Sequence, residues 1–140
     1  MTPDGAALAA IVILLFPMGF FLMSSPAFLL VKLDIPEVTQ LLRGVFNAYF
    51  LMVEIAAVIG IAILAVVGQP ALTVAAAAIA ASTFWARRWF LARWDAQLRA
   101  RDAGDATAVR RLRHLHWGGM ISNLIQLIVV VSSIPFIATR

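Results

Sequence analysis

The chain has 140 residues, of which 63% are hydrophobic and only 13% are charged, and its mean hydropathy is +0.95. A water-soluble domain needs a polar shell, but the charged residues here are confined to short stretches, so the composition excludes a soluble globular protein. Cys is absent, which excludes disulfides, thiolate zinc sites and thiol catalysis. The net charge of +4 comes from arginines clustered beside apolar segments, a pattern typical of cytoplasmic membrane loops rather than of nucleic-acid binding.

The apolar pattern predicts four transmembrane helices, at about residues 6–31, 43–67, 71–88 and 117–138. We therefore predict the all-α class, with a single membrane domain over residues 1–140 built as a four-transmembrane-helix bundle. No basic residue precedes the first segment and no small-residue cleavage motif ends it, so we expect a retained helix rather than a signal peptide. Within this helix, Pro17 predicts a kink, and the Ser-Ser-Pro triplet at residues 24–26 predicts a second bend or the helix end.

The charged segment between the third and fourth spans, residues 89–116, is also helical in pattern. Gly104 is its first helix breaker, and Asp105 is a good N-cap for a following helix. We predict that helices three and four extend beyond the membrane and pair as a cytoplasmic hairpin through apolar residues on both arms: Leu91, Trp94, Leu98, Val109, Leu112 and Leu115. The alternative is that the first arm lies flat on the membrane, with its arginines on anionic lipid.

The distribution of basic residues predicts the orientation of the protein. Eight of the eleven Lys and Arg residues fall between Arg87 and Arg113. Loops one and three share a face of a four-span protein, so we expect both in the cytoplasm of a bacterial inner-membrane protein, with both termini on the outer side. The aromatic and basic residues at the end of the third span predict contact with anionic lipid headgroups: Trp85, Arg87, Arg88, Trp89, Arg93 and Trp94.

Polar residues inside two predicted spans indicate a candidate site. Glu54 is the only acid well inside a span, about 16 Å beyond Arg43 along the helix, and a carboxyl group at that depth should face the bundle interior. Helical spacing places polar residues on one stripe of helix two and on one face of helix four. We predict an internal pocket formed by Asn47, Glu54, Asn123 and Gln126, with Arg43, Tyr49 and His116 beside it. The alternative is that the amides serve only as interhelical hydrogen bonds.

The two histidines do not favour a metal or haem site. His114 and His116 point about 200° apart on a helix, and the sequence contains no third His. We expect His114 to be a solvated interface residue and His116 to face the pocket mouth. The sequence contains no nucleophile motif, phosphate loop or dinucleotide fingerprint, so it predicts no catalytic residue, metal ligand or bound cofactor.

Two stretches carry a family resemblance. LLRGVFNAYF in helix two and LRHLHWGGMISNLIQL entering helix four resemble the small four-helix membrane family that includes the platinum-drug-resistance transmembrane protein. The matching positions are Phe46, Tyr49, Phe50, His116, Ser122, Asn123 and Leu124. This resemblance implies a four-helix fold and a topology but no reaction, and the first helix here lacks the His of the family pattern. A weaker likeness, through the Ala-Gly-Asp turn at residues 103–105, is to anthrone-oxygenase-like membrane proteins.

Three functions follow from these observations. In the first, the protein is not an enzyme, and its polar pocket binds or passes a small solute, ion or proton, with Glu54 as the titrating group. In the second, it is an accessory subunit of a larger membrane complex or a homo-oligomer. In the third, it is a membrane redox enzyme or oxygenase that acts on a lipophilic substrate through His116. The sequence favours the first two functions over the third.

Overall fold

The computed structural model describes residues 2–138 of the chain and the side chains of residues 2–135. Within this part the chain is all helical, which confirms the predicted class. The elements are α1 (Pro3–Ser24), a short 3-10 helix (Ser25–Leu30), α2 (Pro36–Val66), α3 (Pro70–Asp102) and α4 (Ala108–Ala138). The predicted outer position of both termini falls partly on Met1 and residues 139–140, which lie outside the described residues.

The helix boundaries follow from local sequence chemistry. Proline stands at the first position of α2 and α3. The backbone N–H at this position has no partner within the helix, so proline, which lacks it, costs no hydrogen bond there. Gly68 and Gly104 end α2 and α3 with positive φ angles of 71° and 91°, a conformation that strains other residues. Asp105 then accepts a hydrogen bond from the backbone N–H of Thr107 at 2.8 Å, which guides the chain into α4. The predicted turn at residues 103–105 is therefore confirmed.

The two positions of the first helix at which a bend was predicted differ in the structure. Pro17 lies inside α1, which continues as an α-helix to Ser24. At Ser25 the chain changes to a 3-10 helix, with Pro26 in its first turn. The Ser-Ser-Pro triplet therefore marks the end of the α-helix, as one of the two predicted alternatives requires.

The four long helices form an antiparallel bundle in which α1 packs on α2, α2 on α3, α3 on α4, and α4 on α1. Phe46 lies at the centre and is fully buried. Rings from each of the other three helices surround it, at centroid distances of 5.0 Å to Phe21, 4.3 Å to Phe90 and 5.9 Å to His116. Tilted and edge-on aromatic contacts at these distances stabilise a core beyond simple area burial.

Three helical segments are long and apolar enough to cross a membrane: Pro3–Leu30, Pro36–Val66 and Ala108–Pro135. The predicted span 71–88 in α3 is not among them, because only residues 70–86 precede the arginines and about 20 apolar residues are usually needed. In the third of these segments most side chains between residues 117 and 135 face outward. The apolar half of α4 therefore presents a largely uncovered surface.

The charged arms of α3 and α4 pack against other parts of the bundle as well as against each other. Leu98 on α3 and Leu112 on α4 belong to one buried cluster, so the two arms form a helical pair. The same cluster contains Leu42 from the start of α2 and Leu33 from the first loop. The segment 89–116 is thus part of the bundle rather than a free-standing projection, and its cytoplasmic location stays a prediction.

The close approach of α2 and α4 generates a stability prediction. A Cβ atom at Gly119 would collide with the Phe46 ring, whereas nothing lies within 4 Å of a Cβ atom at Gly118. Gly118→Ala should raise the free energy of unfolding by about 0.5–1 kcal/mol through helix propensity. Gly119→Ala should lower it by about 1–3 kcal/mol through overpacking.

Thermal unfolding of the two variants in the same detergent checks this prediction. Because both changes add the same methyl group to the same helix, their difference isolates the contact with Phe46. Equal midpoints for the two variants would show that α2 and α4 do not approach each other as described.

Candidate functional site

The predicted acid on α2 is held by an arginine from α3. The guanidinium of Arg87 donates from Nε and Nη2 to the side-chain oxygen of Asn47, at 3.1 and 2.9 Å, and from Nη1 to Glu54 Oε2 at 3.4 Å. The side chains of Arg87 and Glu54 are 27% and 16% exposed, so the ion pair is largely removed from the surface. Arg87 therefore neutralises the carboxylate and ties α3 to α2, as expected for polar groups that lie among apolar helices.

Two further polar contacts join α2 and α3 towards the charged end. Arg43 forms a two-bond ion pair with Asp95, at 2.5 and 2.8 Å. The hydrogen bond from Arg43 holds the pKa of Asp95 below its usual value. Arg101 donates to the hydroxyl of Thr39 at 2.7 Å, close to the ends of both helices. Arg43 is thus part of a helix-pairing contact rather than of the predicted pocket.

Two buried polar residues of α4 face α1 and the 3-10 helix that follows it. The side-chain amide of Asn123, which is 1% exposed, donates to the Met18 carbonyl at 3.2 Å. His116 is fully buried, with Nε2 at 2.9 Å from the Ser25 hydroxyl and 3.1 Å from the Ser25 carbonyl oxygen. Asn123 and His116 therefore connect α4 to the end of α1, and each still has one buried atom without a hydrogen-bond partner.

The four residues of the predicted pocket face different helices in the structure. Asn47 and Glu54 face α3, Asn123 faces α1, and Gln126 is exposed on α4. Gln126 accepts a hydrogen bond from the Tyr49 hydroxyl at 3.3 Å. The structure therefore gives these four side chains separate partners and does not bring them together around one cavity.

The structure instead shows a groove of about 570 Å³ between the faces of α2, α3 and α4. Aromatic side chains of α2 and α3 form much of its lining, and the hydrogen-bonded pair Tyr49 and Gln126 borders it. The lining residues are Tyr49, Phe50, Ala86, Trp89, Phe90, Arg93, Gln97, Arg111, His114, Leu115, Gly118, Gly119, Ser122 and Gln126. A mainly apolar groove of this size with a few polar groups has the character of a small-molecule site.

One of the two histidines takes the position that was predicted. His114, expected to be solvated, is exposed and also lines the groove. His116, expected at the pocket mouth, is buried against α1 instead. The predicted angular separation explains why the two environments differ, since residues two positions apart on a helix face nearly opposite directions. Among the described residues no three His, Cys, Asp or Glu side chains come together in a group that could hold a metal ion.

The predicted headgroup residues separate into inward and outward sets. Trp85 and Trp89 are 71% and 56% exposed, and Arg93 lies 5.3 Å from the centre of the Trp89 ring. Arg88 similarly lies over the Phe84 ring. Trp94 is fully buried in the core, so its assignment to the lipid interface was wrong. Arg87 faces Glu54 and Asn47, and its contact with headgroups stays a prediction.

Sequence reasoning missed the partners rather than the polar residues themselves. Arg87 was assigned to the lipid headgroups and Asp95 received no assignment, although their spacing of eight residues puts both on the side of α3 that packs on α2. Ser25 was considered only as a helix bend. Its pairing with His116 depends on the antiparallel register of α1 and α4, which no local pattern in the sequence reveals.

No protein-family model, curated protein or solved structure matches this chain. The two family resemblances and the functions that they imply therefore stay predictions.

The Arg87–Glu54 pair generates a prediction about how α2 and α3 stay together. Arg87→Gln leaves a largely buried carboxylate without its cation and should lower the free energy of unfolding by ~1–3 kcal/mol, below the range for fully buried pairs because both groups keep some exposure. The double change Arg87→Gln with Glu54→Gln should be less destabilising than the single Arg87→Gln change.

Arg88→Gln is the matched control, because Arg88 is adjacent in sequence but exposed over Phe84. Thermal unfolding of all three variants in detergent measures the effect. A loss for Arg88→Gln as large as that for Arg87→Gln would contradict the ion pair as the cause.

Proposed function

We propose that the protein is an integral membrane protein in which all four long helices cross the bilayer, with the arginine-rich end in the cytoplasm. The three spanning segments and the antiparallel packing of α3 along α2 support this arrangement. The apolar part of α3, residues 70–86, measures ~26 Å at 1.5 Å per residue, close to the ~30 Å hydrocarbon core. A bacterial inner membrane suits the positive-inside distribution of the arginines.

Because the chain contains no Cys, single cysteines report this topology without background labelling. Ala71 and Ala103 are both exposed and lie at opposite ends of α3. In intact cells a membrane-impermeant maleimide should label Ala71→Cys, and it should label Ala103→Cys only after the membrane is opened. Labelling of both residues from the same side would show that α3 does not cross.

We infer that the function is to bind a small lipophilic molecule in the groove between α2, α3 and α4. The observation that carries this inference is the groove itself, with aromatic lining and a few polar groups. It replaces the Glu54-centred pocket as the solute site, because Glu54 is already paired with Arg87. The groove lies between three of the helices that we propose to cross the bilayer, so we expect a lipophilic ligand to reach it from the membrane.

A second candidate function is that of an accessory subunit or homo-oligomer, and the outward face of α4 favours it. Large apolar side chains on this face are 43–63% exposed: Ile121, Leu124, Ile125, Ile128, Val129 and Val131. Lipid tails or a partner helix would cover such a face equally well. The oxygenase hypothesis gains no comparable support, because the His116 ring is closed off from solvent. A stoichiometric protein partner retained in mild detergent would favour the accessory function over ligand binding.

A pair of tryptophan substitutions tests ligand binding. Ser122 lines the groove, whereas its neighbour Ile121 does not and is 51% exposed. Ser122→Trp fills the groove and should remove a small-molecule adduct that native mass spectrometry detects on protein extracted from its own membranes. Ile121→Trp should keep that adduct. The same small-molecule adduct on both variants, or none on the wild-type protein, would contradict the groove as the binding site.

A further inference from the structure

The charged residues of the groove are all at one end and of one sign. Arg93 on α3 and Arg111 on α4 line it near the basic end of the bundle, together with His114. No Asp or Glu side chain is among the lining residues. A groove lined by cationic groups without an acid favours an anion, and guanidinium groups bind phosphate and carboxylate strongly.

The two arginines keep hydrogen-bonding capacity for a ligand. Arg93 stacks on Trp89 and has no carboxylate partner among the described residues. Arg111 is 3.3 Å from Asp105 through one nitrogen only, in a pair that is exposed to solvent and therefore weak. At the same end of the groove, the side-chain oxygen of Gln97 is buried without a partner, which suits a hydroxyl group on a ligand.

Away from this end no charged residue lines the groove. From Arg111 to Gln126 along α4 is about 22 Å at 1.5 Å per residue, which equals the depth of one leaflet including its headgroups. A separate cavity of about 290 Å³ is lined by residues of all four long helices, none of them charged. On α4 the lining passes from Gln126 to Val129, Val130 and Ser133. Charged residues therefore line only one end of the groove, and the second cavity has no charged lining residue.

We propose that the groove binds an anionic amphiphile, with its acidic head between Arg93 and Arg111 and its apolar chain along the aromatic lining towards the bilayer centre. This inference rests on the proposed lipophilic-ligand function and adds the charge and the direction of the ligand. A phosphate or carboxylate head from a membrane lipid and one from a free single-chain molecule share this chemistry.

Detergent-purified protein tests the proposal with three probes that carry the same chain: dodecyl phosphate, dodecanol and dodecyltrimethylammonium. Dodecyl phosphate should raise the thermal unfolding midpoint at concentrations at which the other two have no effect. Dioleoyl phosphatidic acid in parallel separates the two sources, because binding of this lipid indicates a membrane lipid and binding of dodecyl phosphate alone indicates a single-chain ligand.

Arg93→Gln and Arg111→Gln should each weaken dodecyl phosphate binding about tenfold or more, since each removes a charge-assisted contact. Arg110→Gln is the matched control, because Arg110 is exposed, adjacent to Arg111 and outside the groove lining. Equal loss in Arg110→Gln would indicate a nonspecific surface effect and overturn the proposal.

Two further outcomes separate this proposal from the one on which it rests. Equal stabilisation by all three dodecyl probes, abolished by Ser122→Trp, would overturn the anionic preference but leave lipophilic binding in the groove intact. If Ser122→Trp changes the effect of none of the probes, both the anionic preference and lipophilic binding in the groove are overturned.

Discussion

The contact between Phe46 and Gly119 is the steric constraint around which the bundle is arranged. The Phe46 ring reaches α4 only because Gly119 has no side chain, and it meets rings from α1 and α3 at the same level. Close packing of this kind fixes helix positions within fractions of an ångström, since core side chains occupy well-defined rotamers. The directions in which the four helices run away from this contact then determine where the residues at other levels of the bundle lie.

Polar contacts divide the bundle into two helix pairs on either side of that centre. Arg43, Arg87 and Arg101 link α2 with α3, whereas His116 and Asn123 link α4 with α1 and the 3-10 helix that follows it. Among the described side-chain hydrogen bonds between helices, Tyr49 with Gln126 is the one that joins the two pairs. The boundary between α3 and α4 is therefore held mainly at the turn and at the aromatic centre. The groove occupies the remainder of this boundary, where the two pairs are least firmly connected.

The fold was predictable from the sequence because it depends on patterns that extend over many residues. Helix number, the turn at Gly104 and the pairing of the charged arms all follow from apolar periodicity and from glycine. The apolar part of α3 is short and is followed directly by arginines, so α3 is not among the segments long and apolar enough to cross a membrane, and its crossing stays a proposal. Glu54 faces the interior of the bundle, as expected for the acid that lies well inside an apolar segment.

The candidate site could not be predicted in the same way, because it depends on rotation of the helices about their axes. His114 and His116 are two positions apart, and only the packing of α4 on α1 decides which of them faces the groove. Trp94 illustrates the same limit: aromatic residues beside arginines usually mark the membrane interface, but this ring faces inward and fills the core. Composition identified the residue types of a membrane boundary, and tertiary packing decided which of them are available to a ligand.

The arginines of α2 and α3 take two kinds of position: some pair with acids on the neighbouring helix, and Arg93 lines the groove that we propose as a binding site. An arginine that faces the interior must have its charge and donors satisfied by the protein, and Arg43 and Arg87 meet acids on the neighbouring helix. Arg93 lies one to two turns beyond Arg87 but is rotated away from α2, so it meets the Trp89 ring and the groove instead of an acid. A guanidinium in that position is oriented by its aromatic neighbour and still has donors free for a ligand. The rotation of α3 that turns Arg87 towards α2 is thus the same rotation that places Arg93 in the lining of the groove.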